Sequence, residues 1–336
     1  MKTLPLMKVS AGAMAFMLSW GMGLSVNAQT KTITIYSGRG QKLIEPLLAQ
    51  AKKDLNLDIQ VRYGDTAELA IALLEEGKNS RADLFFAQDA GALGTLEKQK
   101  RTLPISSNLL NQVDSRFRSP QGHWLGISGR ARVINYNTKL VKKNQLPTSI
   151  LQLTQPQWRG KVAWAPTNGS FQSFVTAMRV LEGEPKTLQW LRAMKVNGVK
   201  DYRNNTTIVE ALGRGEVQLG LVNHYYLPNL KKTNPNLPVA SHYTNKDSGS
   251  MINIAGVAIV NSTKQKPEVE KLIGYLLKPS SQTYFAQQTN EYPLVKGIPG
   301  PANQLPLNKL NPPNVNLTNL NDLPGTLELL QQAGVL

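Results

Sequence analysis

The chain has 336 residues, a formal net charge of +16 and no cysteine. A chain of this length is too long for one hydrophobic core and is expected to form two domains. The absence of cysteine excludes disulfides, thiolate nucleophiles, zinc ribbons and a cysteine-linked lipid anchor.

The N-terminus has the three parts of a secretory signal peptide. Lys2 and Lys8 come first, an apolar run covers 11–24, and small residues precede position 29. A membrane anchor is the alternative, but this run is shorter than the roughly 20 residues that a spanning helix needs. We therefore predict a signal peptide over 1–28, cleaved after Ala28, and an exported protein of about 308 residues.

The exported part carries a charge of about +14, which favours an anionic ligand or an acidic partner surface. Nucleic acid is the usual alternative partner for a basic protein. Here the basic residues are scattered singly, without an arginine-rich run or the aromatic signature of RNA-binding domains. We expect no binding to nucleic acid.

Strand and helix patterns alternate along the first hundred residues. The expected strands cover 31–36, 58–63 and 82–86, and the expected helices cover 41–55 and 66–76. This βαβαβ alternation predicts a largely parallel sheet, whose ligands bind beyond the carboxyl ends of the strands.

The alternation returns after residue 130. We expect strands over 132–136, 160–165, 218–222 and 254–260, and helices from 170 and over 206–214, 267–277, 280–288 and 326–333. The tract after Gly297 is rich in proline and asparagine and predicts irregular packing along the surface. The whole pattern predicts an α/β protein with two lobes of the same class and a cleft between them.

Several different short motifs occur along the chain in a specific order. They are Ile-Tyr-Ser-Gly-Arg-Gly at 35–40, Ala-Asp-Leu-Phe-Phe-Ala-Gln at 82–88, Ser-Gly-Arg-Ala-Arg-Val at 128–133, Pro-Thr-Asn-Gly-Ser-Phe at 166–171, Val-Asn-His-Tyr-Tyr at 222–226 and Asn-Glu-Tyr-Pro-Leu at 290–294. Together they resemble the periplasmic ferric-ion-binding proteins. The resemblance implies the type II fold of periplasmic binding proteins, a periplasmic location and an ABC importer permease at the inner membrane as partner.

The lobes are expected to exchange strands. We predict an N-terminal lobe of 29–128 plus about 256–300, and a C-terminal lobe of 129–255 plus about 301–336. The chain then crosses between the lobes near 127–129 and near 252–256, and these crossings serve as hinges. We expect a monomer.

Two adjacent tyrosines are the candidate metal ligands. Ferric iron is a hard cation that prefers anionic oxygen ligands, and a bound cation favours the phenolate over the phenol, which titrates near pH 10. Tyr225 and Tyr226 follow a predicted strand end, where the cleft is expected. One core and one surface tyrosine is the alternative. Shared metal binding requires a bend after Asn223, because consecutive strand side chains point to opposite faces.

An anion site is also expected beside the metal. Asn168 and Gly169 precede one predicted helix and Asn205 precedes another, and backbone N–H groups at helix starts attract phosphate or carbonate. The resemblance implies that these residues and Asn223 hold the anion that completes iron coordination. Ordinary helix capping is the alternative for Asn168 and Asn205.

Two arginines near the first crossing can also bind this anion. Arg130 or Arg132 is able to donate two parallel hydrogen bonds to an oxyanion. The alternative is that one of them supports the hinge between the lobes.

Two positions depart from the family pattern. Glycine stands at position 40, where the family usually has histidine, and alanine stands at position 87, where it usually has glutamate. Members without the histidine use additional tyrosines, for which the candidates are Tyr36, Tyr136 and Tyr243. Tyr136 is the preferred candidate because it ends a strand of the second lobe, and core packing is its alternative.

Two functions remain open at this point. One is a ferric iron receptor that uses the tyrosine pair and a carbonate or phosphate, and the other is a receptor for a phosphorylated or other organic anion without metal. The changes at Gly40 and Ala87 favour the second, and the intact tyrosine pair favours the first. No enzyme is expected, because the sequence has no nucleophile, base and orienting group in a known motif. His123, His224 and His242 are not expected to form a metal cluster, and His224 is expected to be structural.

Overall fold

The computed structural model describes Met1 and residues 30–336. The predicted signal peptide and its cleavage site therefore fall outside the described residues. Residues 31–336 form a single unit. In this part of the chain, no helix combines the length and the apolar character that a membrane span requires.

The strands are short except for two. They are β1 (Thr32–Ser37), β2 (Asp58–Tyr63), β3 (Leu84–Ala87), β4 (Thr102–Leu103), β5 (Leu125–Asn137), β6 (Val162–Trp164), β7 (Lys200–Asp201), β8 (Leu219–Asn223), β9 (Val239–His242), β10 (Ile252–Val260) and β11 (Tyr292–Pro293).

The helices alternate with these strands. They are α1 (Gln41–Leu55), α2 (Thr66–Glu76), α3 (Ala90–Lys98), α4 (Ser107–Leu110), α5 (Gly169–Glu182), α6 (Glu184–Val196), α7 (Asn205–Arg214), α8 (Tyr226–Lys231), α9 (Lys266–Leu277), α10 (Pro279–Tyr284) and α11 (Leu323–Gln332). The predicted bounds of α1, α2 and β2 are confirmed, and those of the other predicted elements differ by a few residues.

Strand pairing divides the β-structure into two sheets that share β5. In the first sheet β1 lies between β2 and β3 in parallel, and β10 pairs antiparallel with β3. In the second sheet β6 pairs in parallel with β7 and β8, and β9 pairs antiparallel with β5. The continuous order is β2-β1-β3-β10-β5-β8-β6-β7. The strand pairs that do not include β5 or β10 are parallel, so the predicted largely parallel sheet is confirmed for those strands.

Strand β5 connects the two sheets. Its first half pairs with β10, from Leu125 opposite Val257 to Ala131 opposite Ile252. Its second half pairs with β8, from Arg132 opposite Asn223 to Tyr136 opposite Leu219. Strand β5 thus changes partner between Ala131 and Arg132, and the lobe crossings expected near 127–129 and near 252–256 stay a prediction.

The first half of β5 was missing from the sequence prediction because of its glycines. Gly126 and Gly129 have a low strand propensity. Tertiary packing requires glycine at Gly126, since a Cβ there would lie 2.7 Å from Leu294 and 2.9 Å from the carbonyl oxygen of Phe117.

Helix α3 was also missed, again because of glycines. Gly91 and Gly94 have a low helix propensity, yet the Asp89 carboxylate caps α3 by accepting hydrogen bonds from the N–H groups of Gly91 (3.0 Å) and Ala92 (3.4 Å). Glycine is needed here because the C-terminal segment passes close by: a Cβ at Gly91 would lie 2.3 Å from the carbonyl oxygen of Leu320.

The buried apolar residues form one large cluster around the first sheet and two smaller clusters around the second. The C-terminal segment contributes to both regions. Leu317 and Leu320 pack in the first cluster, whereas Leu329 and Leu330 pack in the second. The lobe boundaries given above stay a prediction.

Candidate functional site

A bend at the end of β8 brings two consecutive tyrosine rings together. Tyr225 has helical backbone angles (φ −76°, ψ −15°), and α8 begins at Tyr226. The two rings stack with their centroids 4.4 Å apart and their planes 27° apart. In an extended strand the same side chains would point to opposite faces. The predicted bend after Asn223 is therefore present.

The two tyrosines differ in their exposure. Tyr225 is only 6% exposed, and Tyr226 is half-buried. Burial raises the pKa of Tyr225 above its usual value near 10, the neighbouring Tyr226 raises this pKa further, and the charge of Arg130 opposes both effects. Tyr225 is therefore a neutral phenol at physiological pH until a cation reaches its oxygen.

Two buried arginines lie close to the tyrosine pair. Arg130 and Arg132 stand two residues apart on β5, so their side chains leave the same face of the strand. Both are almost completely buried, with 1% and 3% exposure. Burial lowers the pKa of Arg132 to about 9, and the two tyrosines oppose this change.

The guanidinium groups of these arginines are largely unpaired. Arg132 donates one hydrogen bond from Nη2 to the carbonyl oxygen of Leu221, 3.0 Å away. Its Nε and Nη1 atoms, and all three guanidinium nitrogens of Arg130, have no hydrogen-bond partner among residues 30–336. Buried polar groups in native proteins almost always have partners. These donors therefore indicate a binding site for a ligand with acceptor atoms.

A small pocket lies against both guanidinium groups. Ser170, Asn223 and Asn253 are the polar residues that line it beside the arginines. The Nδ2 atom of Asn223 also lacks a partner in the described part of the chain. We call Arg130, Arg132, Asn223, Tyr225 and Tyr226 the donor cluster. An excess of hydrogen-bond donors and positive charge suits an oxyanion.

The two predicted helix starts meet beside this pocket. The Asn168 Oδ1 atom caps α5 by accepting from the N–H of Ser170 (3.1 Å), and it also accepts from Nδ2 of Asn205 (3.1 Å) at the start of α7. Asn205 is buried, and its Oδ1 has no partner within the described ranges. A Cβ at Gly169 would meet open space. Asn168 thus caps α5 and is linked to α7 by Asn205, whereas Asn204 caps α7. The role of Asn168, Gly169 and Asn205 in anion binding stays a prediction.

A second group of buried polar side chains lies on the first sheet. Arg39 donates from Nη2 to the Glu291 carboxylate (2.6 Å) and from Nη1 to the Gln88 side chain (2.7 Å). Ser128 and Thr289 donate to the same Glu291 oxygen, each at 3.1 Å. We call these five residues the ion-paired cluster. Their motifs were visible in the sequence, but no sequence signal paired segments so far apart.

The positions that depart from the family pattern lie beside the ion-paired cluster. Gly40 is exposed at the start of α1, and Ala87 is fully buried at the end of β3. Among the described residues, no group of three or more histidine or carboxylate side chains could hold a metal ion. A metal site in this part of the chain would therefore need ligands beyond histidine and carboxylate, such as tyrosine and anion oxygens.

The other candidate tyrosines have contacts of their own. Tyr136 is packed in a core cluster of the second sheet, four residues or about 13 Å along β5 from Arg132. The Tyr36 hydroxyl donates to Glu76 (3.0 Å). The Tyr243 hydroxyl lies 3.4 Å from that of Tyr292.

The three histidines have structural contacts. His224 is buried, accepts a hydrogen bond at Nδ1 from the N–H of Ala131 (3.1 Å) and stacks on Tyr292. Burial and the nearby charge of Arg130 lower the pKa of His224 to about 3, so it is neutral. The Nδ1 atom of His123 is hydrogen-bonded to the hydroxyl of Thr102, and the Nε2 atom of His242 is hydrogen-bonded to the carbonyl oxygen of Pro147.

Known proteins with similar sequences are named for iron binding or iron uptake. The family described as bacterial extracellular solute-binding protein matches residues 79–315. The Fe(3+)-binding periplasmic protein of Serratia marcescens is 30% identical over 338 residues, which cover 98% of this chain and 99% of that protein. Iron uptake protein A1 of Synechocystis is 30% identical over 281 residues, 81% of this chain and 78% of that protein.

Solved structures of iron-bound proteins are similar to this chain as well. Iron-bound HitA from Pseudomonas aeruginosa has a TM-score of 0.85 and 29% identity, with 90% of this chain and 99% of that chain covered. IdiA (FutA) from Trichodesmium, in complex with iron and citrate, has a TM-score of 0.80 and 28% identity, with 91% and 100% covered. The expected two-lobed fold is thereby confirmed. This chain therefore belongs to the bacterial extracellular solute-binding proteins, and within them to the periplasmic ferric-ion-binding proteins.

Proposed function

We propose that this protein captures ferric iron in the periplasm through the phenolates of Tyr225 and Tyr226, with a carbonate or phosphate bound at Arg130 and Arg132. The single observation that carries the proposal is the stacked tyrosine pair beside two buried guanidinium groups, five of whose six nitrogen atoms have no acceptor among residues 30–336. The ferric-iron-binding relatives from Serratia and Pseudomonas support the choice of metal.

The charges of the site support a ferric ion and an anion together. A trivalent cation compensates two phenolates that would otherwise repel each other. The two tyrosines provide too few ligands for ferric iron alone, and the described residues offer no carboxylate or imidazole cluster to add to them. A carbonate or phosphate can bind the metal with one face and the guanidinium groups with the other.

The anion is expected to contact the second sheet. Arg132 and Asn223 pair on neighbouring strands, and their unpaired nitrogen atoms line the same pocket. Asn168, Gly169 and Asn205 then add the N-terminal ends of α5 and α7, whose backbone N–H groups favour negative charge. Tyr136 is left out of the proposed ligand set because of its position in the core.

Delivery to the inner membrane follows from this role. We infer that the chain is exported with cleavage after Ala28, acts as a monomer without enzymatic activity and meets the permease of an ABC importer. Closure of the lobes about the β5 and β10 crossings would bury the iron and present a closed form to the permease.

The test uses the mature chain with ferric iron in the presence of carbonate or phosphate. Iron bound by phenolates absorbs visible light, so the wild type should become coloured on titration. Tyr225→Phe and Tyr226→Phe should each lower both the absorption and the affinity, because each removes one oxygen ligand. Tyr136→Phe should leave both unchanged if Tyr136 is not a ligand.

Tyr202→Phe is the matched control, since its hydroxyl contacts Glu216 at 3.3 Å on the second sheet, away from the pair. Unaltered ferric binding by both pair variants would contradict the metal role. If the wild type binds a phosphate ester but no ferric iron, the alternative function of an organic-anion receptor replaces this proposal.

A further inference from the structure

The edge of the second sheet opposite the donor cluster has an unusual composition. Strand β5 ends at this edge, and β6, β7 and β8 begin there, because Tyr136 pairs with Leu219, Val162 with Leu219 and Ala163 with Lys200. Four connecting segments therefore lie side by side. We call them the basic edge, and they cover residues 138–143, 159–161, 195–200 and 214–216.

Hydrogen bonds hold these four segments together. Asn137 and Gln218 adjoin the first and the last segment. The N–H of Asn137 donates to the carbonyl oxygen of Gln218 (3.0 Å), and the N–H of Gln218 donates to the carbonyl oxygen of Lys161 (2.8 Å). The N–H of Gly160 donates to Asn197 (2.8 Å), and the Lys200 ammonium donates to the carbonyl oxygen of Glu216 (3.0 Å). The segments are thus one continuous surface and not separate loops.

The basic edge is strongly positive. It contains eight lysine and arginine residues and one acidic residue, Glu216, which pairs with Arg214. Asp201 and Glu210 are the nearest other acidic residues along the chain, and Asp201 lies 3.9 Å from Lys195. Six of the basic side chains are exposed without a short ion pair among the described residues: Lys139, Lys142, Lys143, Arg159, Lys195 and Lys200.

Two large apolar side chains are exposed within this charged surface. Val196 is 76% exposed at the end of α6, and Leu140 is 48% exposed in the segment after β5. Leu140 lies against the segment after α7, since it would be 3.6 Å from a Cβ at Gly215. Lysines around protruding apolar side chains resemble the surfaces that bind membrane interfaces.

We propose that the basic edge binds reversibly to an anionic phospholipid surface. The partner is assigned as lipid because five of these six exposed basic side chains are lysines and no aromatic residue lies in the four segments. Protein interfaces are instead depleted of lysine and enriched in arginine and aromatic residues. Lysines on flexible stems suit an array of mobile phosphate headgroups.

This orientation would leave the iron site accessible. The tyrosine pair follows the carboxyl end of β8, whereas the basic edge lies where β8 begins. A protein attached at the basic edge therefore keeps its site away from the lipid. Attachment would hold the protein near the membrane and would weaken as salt rises, because surface charges are screened over about 8 Å at physiological ionic strength.

The test measures binding of the iron-free mature chain to vesicles. Vesicles of equal parts phosphatidylglycerol and phosphatidylcholine should bind it at low salt, and vesicles of phosphatidylcholine alone should not. The triple variant Lys139→Gln, Lys142→Gln, Lys143→Gln should lower the affinity about 100-fold, since each lysine near an anionic surface contributes about a factor of five.

The matched control changes Lys42, Lys53 and Lys78 to Gln, three exposed lysines beside the first sheet. It removes the same charge and should lower the affinity less than about threefold. Equal losses in the two triple variants would overturn the proposal, and so would equal binding to both vesicles. If the wild type binds neither vesicle, the lipid assignment is wrong and an acidic protein becomes the partner to test.

Discussion

The ion-paired cluster and the donor cluster both contain buried arginine, and they use it in opposite ways. Arg39 has its charge matched by Glu291 at 2.6 Å, with Gln88 as a further acceptor. Arg130 has a guanidinium group without a hydrogen-bond partner anywhere in residues 30–336. A buried guanidinium group whose hydrogen bonds are made within the protein is part of the fold, whereas one whose donors are unused is suited to a ligand.

This difference in hydrogen bonding also separates what the two sheets contribute to the candidate site. The first sheet has glycine and alanine at positions 40 and 87, and its nearby carboxylate, Glu291, is already bound to three donors. The second sheet provides Arg132 and Asn223 and leads into both tyrosines, and Arg130 adds its unpaired donors from the neighbouring part of β5 that pairs with β10. We therefore expect changes in the ion-paired cluster to affect stability and changes in the donor cluster to affect binding.

The largest effect is expected from Glu291→Gln. This change leaves the charge of Arg39 buried and unmatched, so the free energy of unfolding should fall by about 3 to 5 kcal/mol. Urea denaturation measures this loss. Glu184→Gln is the control, because Glu184 is 59% exposed in its ion pair with Arg179 and should cost less than about 1 kcal/mol. Equal losses of unfolding free energy in the two variants would show that the buried pair of Arg39 and Glu291 contributes no more stability than an exposed ion pair.

Arg130→Met should have opposite effects on stability and binding. Without ligand, the unfolding free energy should rise by about 1 to 3 kcal/mol, because an unsatisfied buried donor is removed. Ferric affinity in the presence of carbonate should fall about 10- to 100-fold, the value of a hydrogen bond between charged groups. Urea denaturation and equilibrium dialysis measure the two effects, with the exposed Arg159→Met as control. Loss of stability without loss of affinity would make Arg130 a structural residue.

Gly40→His tests whether the first sheet can reach the metal. Gly40 has φ −57°, which any residue adopts, and a Cβ there meets open space. The new imidazole should raise ferric affinity at least about tenfold if it becomes a ligand. Gln41→His places the imidazole one residue further along the chain and should not raise the ferric affinity. Equal affinities in both variants would place the metal out of reach of this segment.

The smallest effect concerns the attachment of α11 to α5. The hydrogen bond from Arg179 (2.8 Å) lowers the pKa of Asp322. A lowered pKa stabilises the fold above the unfolded value near 3.9, and this stabilisation is lost as the pH falls through the folded value. Asp322→Asn should cost less than about 1 kcal/mol at pH 6, and its difference from the wild type should narrow below about pH 4. If the difference in unfolding free energy between the variant and the wild type stayed constant below about pH 4, the lowered pKa of Asp322 would not stabilise the fold.

Local patterns predicted a large part of the fold. The bounds of α1 and β2 followed from periodicity and from the residues that end them. Helix α3 and the first half of β5 were missed because their glycines have low propensity for regular structure. Those glycines are required by close contacts with Leu320 and Leu294, residues distant in sequence.

The sequence by itself determined the α/β alternation, the family and the tyrosine pair behind a strand end, because periodicity and motifs are properties of neighbouring residues. Only the tertiary structure decided that Arg39 meets Glu291 across 252 positions, that Arg130 and Arg132 have donors to spare, and that Tyr136 is packed in a core. The physical reason is that pairing of buried charges depends on distances between distant segments, which sequence spacing does not express.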